Sequence, residues 1–200
     1  MTTTTAAPLA RTASYTVLHT GYTLSTGPGV AATVSYVTDG DLHLVFDPGM
    51  VPGRDSILRP LAALGLTADD ITDVVLSHHH PDNVQNAGLF QRARVHDHKA
   101  VYDGDQWTDR DAEGYELTPA LRLIRTPGHS AEDITLLAGT RDGVVAFAGD
   151  LWWRPNGPLV DPVAPDPEIH RASRLRVLGL ADVIVPGHGA AFAASGDVPV

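Results

Sequence analysis

Cysteine and long apolar runs are both absent from this 200-residue chain. The absence of cysteine excludes disulfides, thiolate metal ligands and cysteine nucleophiles. No uninterrupted apolar run approaches the ~18 residues that a membrane-spanning helix needs, so we expect no membrane partner. The N-terminal stretch lacks the apolar segment of a signal peptide, and we therefore predict a flexible tail at 1–13 and a cytoplasmic location.

Positive charge is scarce. Lys99 is the sole lysine, and 14 Lys and Arg stand against 24 Asp and Glu, which gives a net charge of −10. Between Tyr102 and Thr118 the only cation is Arg110, in a segment that we predict to be an acidic loop. Such a surface repels a phosphate backbone, so we expect a small-molecule substrate and no nucleic-acid partner. The sequence leaves the oligomeric state open.

The remaining composition is that of one globular domain. Hydrophobic residues make up 43% and charged residues 19%, and 200 residues are enough to bury one substantial core. We predict a single domain at 14–193 and a C-terminal tail at 194–200.

Short β-branched runs alternate with two helical segments. An Asp39-Gly40 pair predicts a hairpin between the second and third runs. We expect helices at about 56–64 and from 166 or 167 to Gly179, the second with Ile169, Ala172, Leu175 and Leu178 on one side. Strands are predicted at 14–20, 31–38, 42–47, 71–76, 93–96, 121–125, 133–137, 144–148 and 183–185. This order indicates an α/β (α+β) fold of two packed sheets with helices outside.

Ten histidines are present, and several follow directly on predicted strands. Because loops at one edge of a sheet converge, such residues can assemble one site. Imidazole and carboxylate together suit zinc, iron or manganese. The residues at these strand ends are His78, His79, His80, Asp82, His129, Asp150 and His188.

These residues stand in motifs that resemble those of the metallo-β-lactamase-fold hydrolases. The family signature His-x-His-x-Asp-His stands here as residues 78–83, with Asn83 last. The later elements are Thr126-Pro127-Gly128-His129, Gly149-Asp150 and Pro186-Gly187-His188-Gly189. Segments 84–90 and 181–189 resemble the branch of metallo-β-lactamase domain-containing protein 1. The resemblance runs from about Ser14 to Phe192 and implies a four-layer αββα sandwich of two mixed sheets flanked by helices.

The resemblance also implies a ligand set. His78, His80 and His129 correspond to the ligands of a first metal, Asp82 and His188 to those of a second, and Asp150 to the bridging carboxylate. Asn83 replaces the remaining second-site histidine, and an amide oxygen is a poorer zinc ligand than imidazole. We therefore expect one tightly bound Zn²⁺ and a weak or absent second ion, with iron or manganese as alternatives.

Other residues carry weaker signals. We expect His19, His43 and His170 to be surface or hydrogen-bonded residues, and His79 to orient or pack. His96 and His98 either support the site or have no part in it. Trp152 and Trp153 either wall a substrate pocket or pack in the core.

The function that follows is metal-dependent hydrolysis. The leading interpretation is a metal-bound hydroxide that attacks a small ester, thioester, lactone or amide, with Asp82 holding and deprotonating the water. Three alternatives stay open at this point: a metal-dependent nuclease, a mononuclear iron persulfide-type dioxygenase, and a non-catalytic metal-binding protein.

Overall fold

A computed structural model describes residues 7–24, 26–155, 157–196 and 198–200. In chain order its strands are β1 (Ser14–His19), β2 (Tyr22–Thr23), β3 (Val30–Ala31), β4 (Val34–Asp39), β5 (Leu42–Phe46), β6 (Asp73–Val75), β7 (Arg94–His96), β8 (Ala100–Asp103), β9 (Gln106–Asp109), β10 (Glu116–Thr118), β11 (Leu121–Arg125), β12 (Ile134–Thr140), β13 (Gly143–Phe147), β14 (Val183–Val185) and β15 (Phe192–Ala193). The α-helices are α1 (Asp55–Ala63), α2 (Pro81–Val84) and α3 (Pro167–Leu178), and short 3₁₀ helices lie at Ala68–Asp70, Ala87–Leu89 and Gly149–Leu151.

The strands form two large mixed sheets. The first sheet has the order β1-β4-β5-β6-β7-β8-β9, and the second has the order β10-β11-β12-β13-β14-β15. The pairs β5–β6, β6–β7 and β13–β14 are parallel, and the other neighbours are antiparallel. Strands β2 and β3 form a separate small hairpin. Gly40, with a φ of 62°, makes the predicted tight turn between β4 and β5.

Alternating side chains of each sheet bury apolar surface on both faces. On β5, Leu44 and Phe46 face the second sheet, where Phe46 contacts Phe147 with ring centroids 5.7 Å apart. Val45, between them, faces the opposite way and packs in the layer that contains Ile57 of α1. Each large apolar side chain buried in this way contributes about 1.5–3 kcal/mol.

The second sheet repeats this arrangement with α3. Leu136 points into the space between the sheets, whereas Leu137 packs on the outer side with Val177 of α3. The layers are therefore α1, first sheet, second sheet and α3, and the predicted four-layer sandwich is confirmed.

Helix α3 buries a different face from the one its apolar spacing predicts. Ile169 and Leu175 are 48% and 45% exposed, whereas Arg174 is fully buried. The Arg174 guanidinium donates to the backbone carbonyls of Leu151, Pro158 and Leu159. Bonds to these three carbonyls therefore decide which side of the helix faces inward.

The segment predicted as an acidic loop contains regular structure. Strands β8 and β9 form a hairpin whose turn contains Gly104, with a φ of 59°. Strand β9 is exposed along its whole length at the edge of the first sheet, which explains its polar composition. The prediction of a loop was wrong because charged residues on an exposed edge strand hide the usual hydrophobic alternation.

Both chain ends make contacts with the second sheet. The Ala10 amide donates to the Pro119 carbonyl, and Ala13 forms a bridge with Thr140. Residues 1–6 of the predicted N-terminal tail lie outside the described residues. At the other end, the Pro199 carbonyl accepts a hydrogen bond from Trp152 Nε1. Among the described residues, no helix is long and apolar enough to cross a bilayer.

Asp73 on β6 anchors a buried polar network. Its carboxylate lies 2.8 Å from His96 Nε2 and accepts bonds from Arg94 and the Thr72 hydroxyl. Although burial opposes it, bonding to His96, Thr72 and Arg94 holds the pKa of Asp73 below its usual value. A carboxylate with a lowered pKa stabilises the fold above its unfolded pKa of about 3.9, and this stability is lost as the pH falls through the folded value.

We expect Asp73→Asn to lower the free energy of unfolding at pH 7 by about 1–3 kcal/mol, because the amide cannot accept all these bonds. The deficit should shrink as the pH falls below about 4, where the carboxyl of the unfolded chain begins to bind a proton, and should be smallest below the lower folded pKa, where the native carboxylate is protonated too. Urea unfolding at several pH values measures both effects. The exposed Asp142→Asn serves as the matched control, and a deficit for Asp73→Asn that does not change with pH would contradict this account.

Candidate metal centre

Four strand ends bring the predicted site residues together between the two sheets. His78 and His80 follow β6, and Asp82 lies in α2 directly after them. The second sheet supplies the other three residues: His129 after β11, Asp150 after β13 and His188 after β14. Potential ligand atoms of His78, His80, His129 and Asp150 lie within 4.8 Å of one another, and so do those of Asp82, Asp150 and His188. Asp150 belongs to both groups.

The first group places three imidazole nitrogens around one point. His80 Nδ1 lies 2.9 Å from His78 Nε2 and 2.9 Å from His129 Nε2. Asp150 Oδ2 lies 3.5 Å from His129 Nε2 and 4.0 Å from His78 Nε2. Ligand atoms around a tetrahedral zinc ion at bond lengths of about 2.1 Å are themselves about 3.4 Å apart. This group therefore has the donor types and the spacing that fit a transition-metal ion.

Oxygen acceptors fix which nitrogen of each buried histidine faces the centre. His129 Nδ1 donates to Asp161 Oδ2 at 2.7 Å, and His188 Nδ1 donates to the Ala31 carbonyl at 2.9 Å. The Ser77 hydroxyl donates to Asp47 and so accepts from His78 Nδ1. Each Nδ1 therefore carries a proton, and each Nε2 points toward the centre, the orientation in which a deprotonated Nε2 can bind a metal.

The second group is less complete. His188 Nε2 lies 3.1 Å from Asp150 Oδ2 and 3.5 Å from Asp82 Oδ2. The fully buried Asn83 directs its amide nitrogen toward Asp47 Oδ2 and Asp150 Oδ1, at 3.2 and 3.3 Å. Its Oδ1 is buried and has no partner among the described residues. Asn83 thus donates hydrogen bonds to carboxylates where an imidazole would offer a lone pair.

Burial and charge set the protonation of the centre. Burial lowers the pKa of His78 to about 3, so this imidazole is neutral at physiological pH. Although burial opposes it, the hydrogen bond to Asp150 and its charge raise the pKa of His188 to about 9. Despite its burial, the neighbouring histidines hold the pKa of Asp150 well below its usual value. Asp150 is therefore a carboxylate that offers negative charge to a cation.

Comparison of the sequence with known proteins shows the family of this chain. A sequence profile described as Metallo-beta-lactamase superfamily matches residues 27–104. Metallo-beta-lactamase domain-containing protein 1 of Xenopus laevis is 35% identical over 190 residues, which span 88% of this chain and 79% of the relative. The chain belongs to the metallo-beta-lactamase superfamily.

Solved structures of the metallo-beta-lactamase fold agree with the architecture. A candidate metallo-beta-lactamase from Thermotoga maritima has a TM-score of 0.74 at 23% identity and covers 92% of this chain and 100% of its own. The dizinc quorum-quenching lactonase AidC, in complex with a product, has a TM-score of 0.62 at 19% identity and covers 78% of this chain and 71% of its own. The superfamily and fold expectations from the sequence are thus confirmed.

Two supports of this metallo-beta-lactamase centre escaped sequence reasoning. Asp161 lies in the proline-rich segment before α3, where no periodicity or motif distinguishes it from neighbouring acidic residues. Ser77 directly precedes the histidine motif, and only its bonds to Asp47 and His78 reveal its part. Asp47, in the turn after β5, accepts from both the backbone amide and the hydroxyl of Ser77 at 2.7 Å.

The residues with weaker signals separate into several environments. His170 is buried against the Leu151 carbonyl, and His43 bonds to the Tyr36 hydroxyl. Trp152 is fully buried in the core, whereas Trp153 lines the cleft above the centre, 6.1 Å from the His129 ring. His96 belongs to the Asp73 network, and His79 and His98 contact each other away from the centre.

The centre opens into a cleft of about 340 Å³. One wall is formed by the part of the β2–β3 hairpin from Gly27 to Val30. Another wall is formed by Trp153 and Val163. The floor of the cleft is lined by Asp82, His80, His129, Asp150 and His188. None of the described lining residues is lysine or arginine.

Proposed function

We propose that this protein is a zinc-dependent hydrolase of small, uncharged esters, thioesters, lactones or amides. The observation that carries the proposal is the convergence of three imidazole lone pairs and the Asp150 carboxylate at the floor of a largely apolar cleft. Pockets of this size and character suit small-molecule substrates.

The proposed ligands of the tight ion are His78, His80, His129 and Asp150. Their nitrogen and carboxylate oxygen atoms lie 2.9 to 4.0 Å apart, which is close to the spacing of about 3.4 Å between the ligands of one tetrahedral ion. Asp82, His188 and Asp150 would hold a second, weaker ion. When bound, such an ion lowers the pKa of water to about 7 and polarises a carbonyl oxygen.

Asp82 is the proposed proton acceptor. Its side chain is 26% exposed at the floor of the cleft, whereas the other carboxylate there, Asp150, is almost fully buried. An exposed carboxylate can exchange protons with solvent after each turnover. Asp82 would therefore hold the attacking water and take its proton, or would serve the second ion when one is present.

The walls of the cleft favour an uncharged acyl group. Val30, Val163 and the Trp153 ring offer apolar contact, and no described lysine or arginine is available for a carboxylate or phosphate. A nuclease needs cations along the path of the phosphate backbone. The net charge of −10 and this cleft together disfavour nucleic acid as the substrate.

A mononuclear iron oxygenase is a second candidate, because Asn83 donates to Asp150 and supplies no lone pair to the second group. Imidazole and carboxylate ligands also suit iron. Elemental analysis of protein purified without added metal, combined with oxygen consumption in the presence of a persulfide, separates the two candidates.

The hydrolase proposal predicts a chelator-sensitive activity that falls in acid. Protonated imidazoles cannot bind metal, so the rate should decline with an apparent pKa between about 5 and 7. Nitrophenyl esters, thioesters and lactones, assayed from pH 4.5 to 8 with and without a chelator, provide the measurement. A rate that is flat over this range, or that survives removal of the metal, would contradict metal-dependent hydrolysis.

A further inference from the structure

A second group of metal-binding side chains lies outside the metal centre. We call it the outer cluster; it consists of His79, Asp97, His98 and Glu132. One ring nitrogen of each histidine and one oxygen of Asp97 lie within 4.8 Å of one another. The four residues come from three loops: one after β6, one after β7 and one before β12. Although His79 is flanked by two residues of the metal centre, its side chain joins the outer cluster.

Asp97 is a fixed, buried carboxylate. Its side chain is 2% exposed, and its Oδ1 accepts bonds from the Lys99 and Ala100 amides at 2.9 and 2.8 Å. The Tyr102 hydroxyl donates to Oδ2 at 2.6 Å. These bonds hold Oδ2 3.3 Å from His79 Nε2, close to the separation of about 3.4 Å between two ligands of a tetrahedral ion.

Glu132 orients the imidazole of His79. The carboxylate Oε1 accepts from both the backbone amide and the Nδ1 of His79, at 3.1 and 2.8 Å. With the proton on Nδ1, the Nε2 lone pair faces Asp97. Histidine ligands of metals in proteins usually donate their other nitrogen to a carboxylate in this way.

His98 completes the donor set. Its ring lies edge-on to that of His79, with centroids 5.9 Å apart. Its Nδ1 is buried without a hydrogen-bond partner among the described residues and lies 3.7 Å from Glu132 Oε2. A buried nitrogen with no partner costs stability unless something binds it.

We propose that the outer cluster is a binding site for a divalent transition metal, Zn²⁺ in the first instance, and that it is separate from the metal centre. His79 Nε2, Asp97 Oδ2 and a ring nitrogen of His98 are the ligands, and Glu132 orients His79 and neutralises charge. The 42% exposure of the His79 side chain leaves room for solvent at the remaining coordination position. Two imidazoles with carboxylate oxygen form a donor set that suits zinc.

The experiment compares zinc binding to the unmodified protein and to His98→Gln by competitive titration with a chromophoric chelator. The loss of one of three protein ligands should weaken zinc binding at the outer cluster at least tenfold. At micromolar free zinc, His98→Gln should therefore bind one equivalent fewer than the unmodified protein and keep the zinc that the metal centre binds. Anomalous scattering at the zinc edge, from crystals of the unmodified protein grown with zinc, should place a peak among His79, Asp97 and His98.

Two further variants keep the result interpretable. Glu132→Gln retains an acceptor for His79 and should weaken the outer equivalent only a few-fold. His19→Gln removes a histidine that belongs to neither group and should change nothing. Equal stoichiometry and affinity in the unmodified protein and His98→Gln, or no anomalous peak at the outer cluster, would overturn the proposal and leave a network of hydrogen bonds and ion pairs.

Discussion

Replacing His129 by alanine should remove the tightly bound metal and abolish hydrolysis. His129 supplies one of the three imidazole nitrogens that face one another, and it comes from the second sheet, whereas His78 and His80 come from the first. Without it, no other described imidazole reaches this position. We expect a loss of more than a hundredfold in metal affinity, equal to about 2.7 kcal/mol or more. Elemental analysis after dialysis and chelator competition measure it.

The fold should survive this loss of metal. A chain of this size with a continuous core does not depend on metal-binding energy, in contrast to small zinc domains. His129 bonds to the Asp161 carboxylate at 2.7 Å, so His129→Ala leaves this carboxylate without its imidazole partner. The partly buried His80 provides a second variant, His80→Ala, without that penalty. Both variants are measured with His98→Gln also present, so that the outer cluster contributes no equivalent. A full equivalent of metal at unchanged affinity in either variant would then show that the assigned ligands are wrong.

Replacing Asn83 by histidine should create a second tight metal equivalent. Asp82, Asp150 and His188 already lie together, and position 83 is fully buried beside them. Asp47 Oδ2, which now accepts from the Asn83 amide, would accept from one ring nitrogen of the new imidazole. The other ring nitrogen would then face the second group, as Nε2 of His78, His129 and His188 faces the centre. We expect the second equivalent to tighten more than tenfold, or about 1.4 kcal/mol.

A matched control for this variant is Asn86→His. Asn86 lies three residues further on and bonds to the Gly49 carbonyl outside both groups, so a histidine there should add no tight equivalent. The measurement is zinc titration against a chelator with both variants and the unmodified protein. Two equally tight equivalents that persist in His98→Gln, where the outer cluster has lost a ligand, would refute the one-metal interpretation of the metal centre, because Asn83 or water would then already complete the second group.

The grouping of the candidate ligands could be predicted from the sequence because they follow strands, and strand ends converge at one edge. The fold class followed from the same alternation of short strands and helices. The partners of the ligands could not be predicted in this way. Asp161 reaches His129 across 32 positions, and only the packing of the 157–166 segment against α3 brings them together. The buried face of α3 was missed for a related reason, since Arg174 is held inside by backbone carbonyls that no side-chain pattern reveals.

The division of the metal centre between the two sheets links its affinity to the alignment of the whole sandwich. Any substitution that slides one sheet relative to the other, for example at the Phe46–Phe147 contact, would change the distances between candidate ligands that it does not touch. By thermodynamic linkage, an ion that binds only the aligned state must in turn stabilise that alignment. The interlayer core and the metal centre therefore constrain each other, and changes in core packing can tune metal affinity while every ligand is retained.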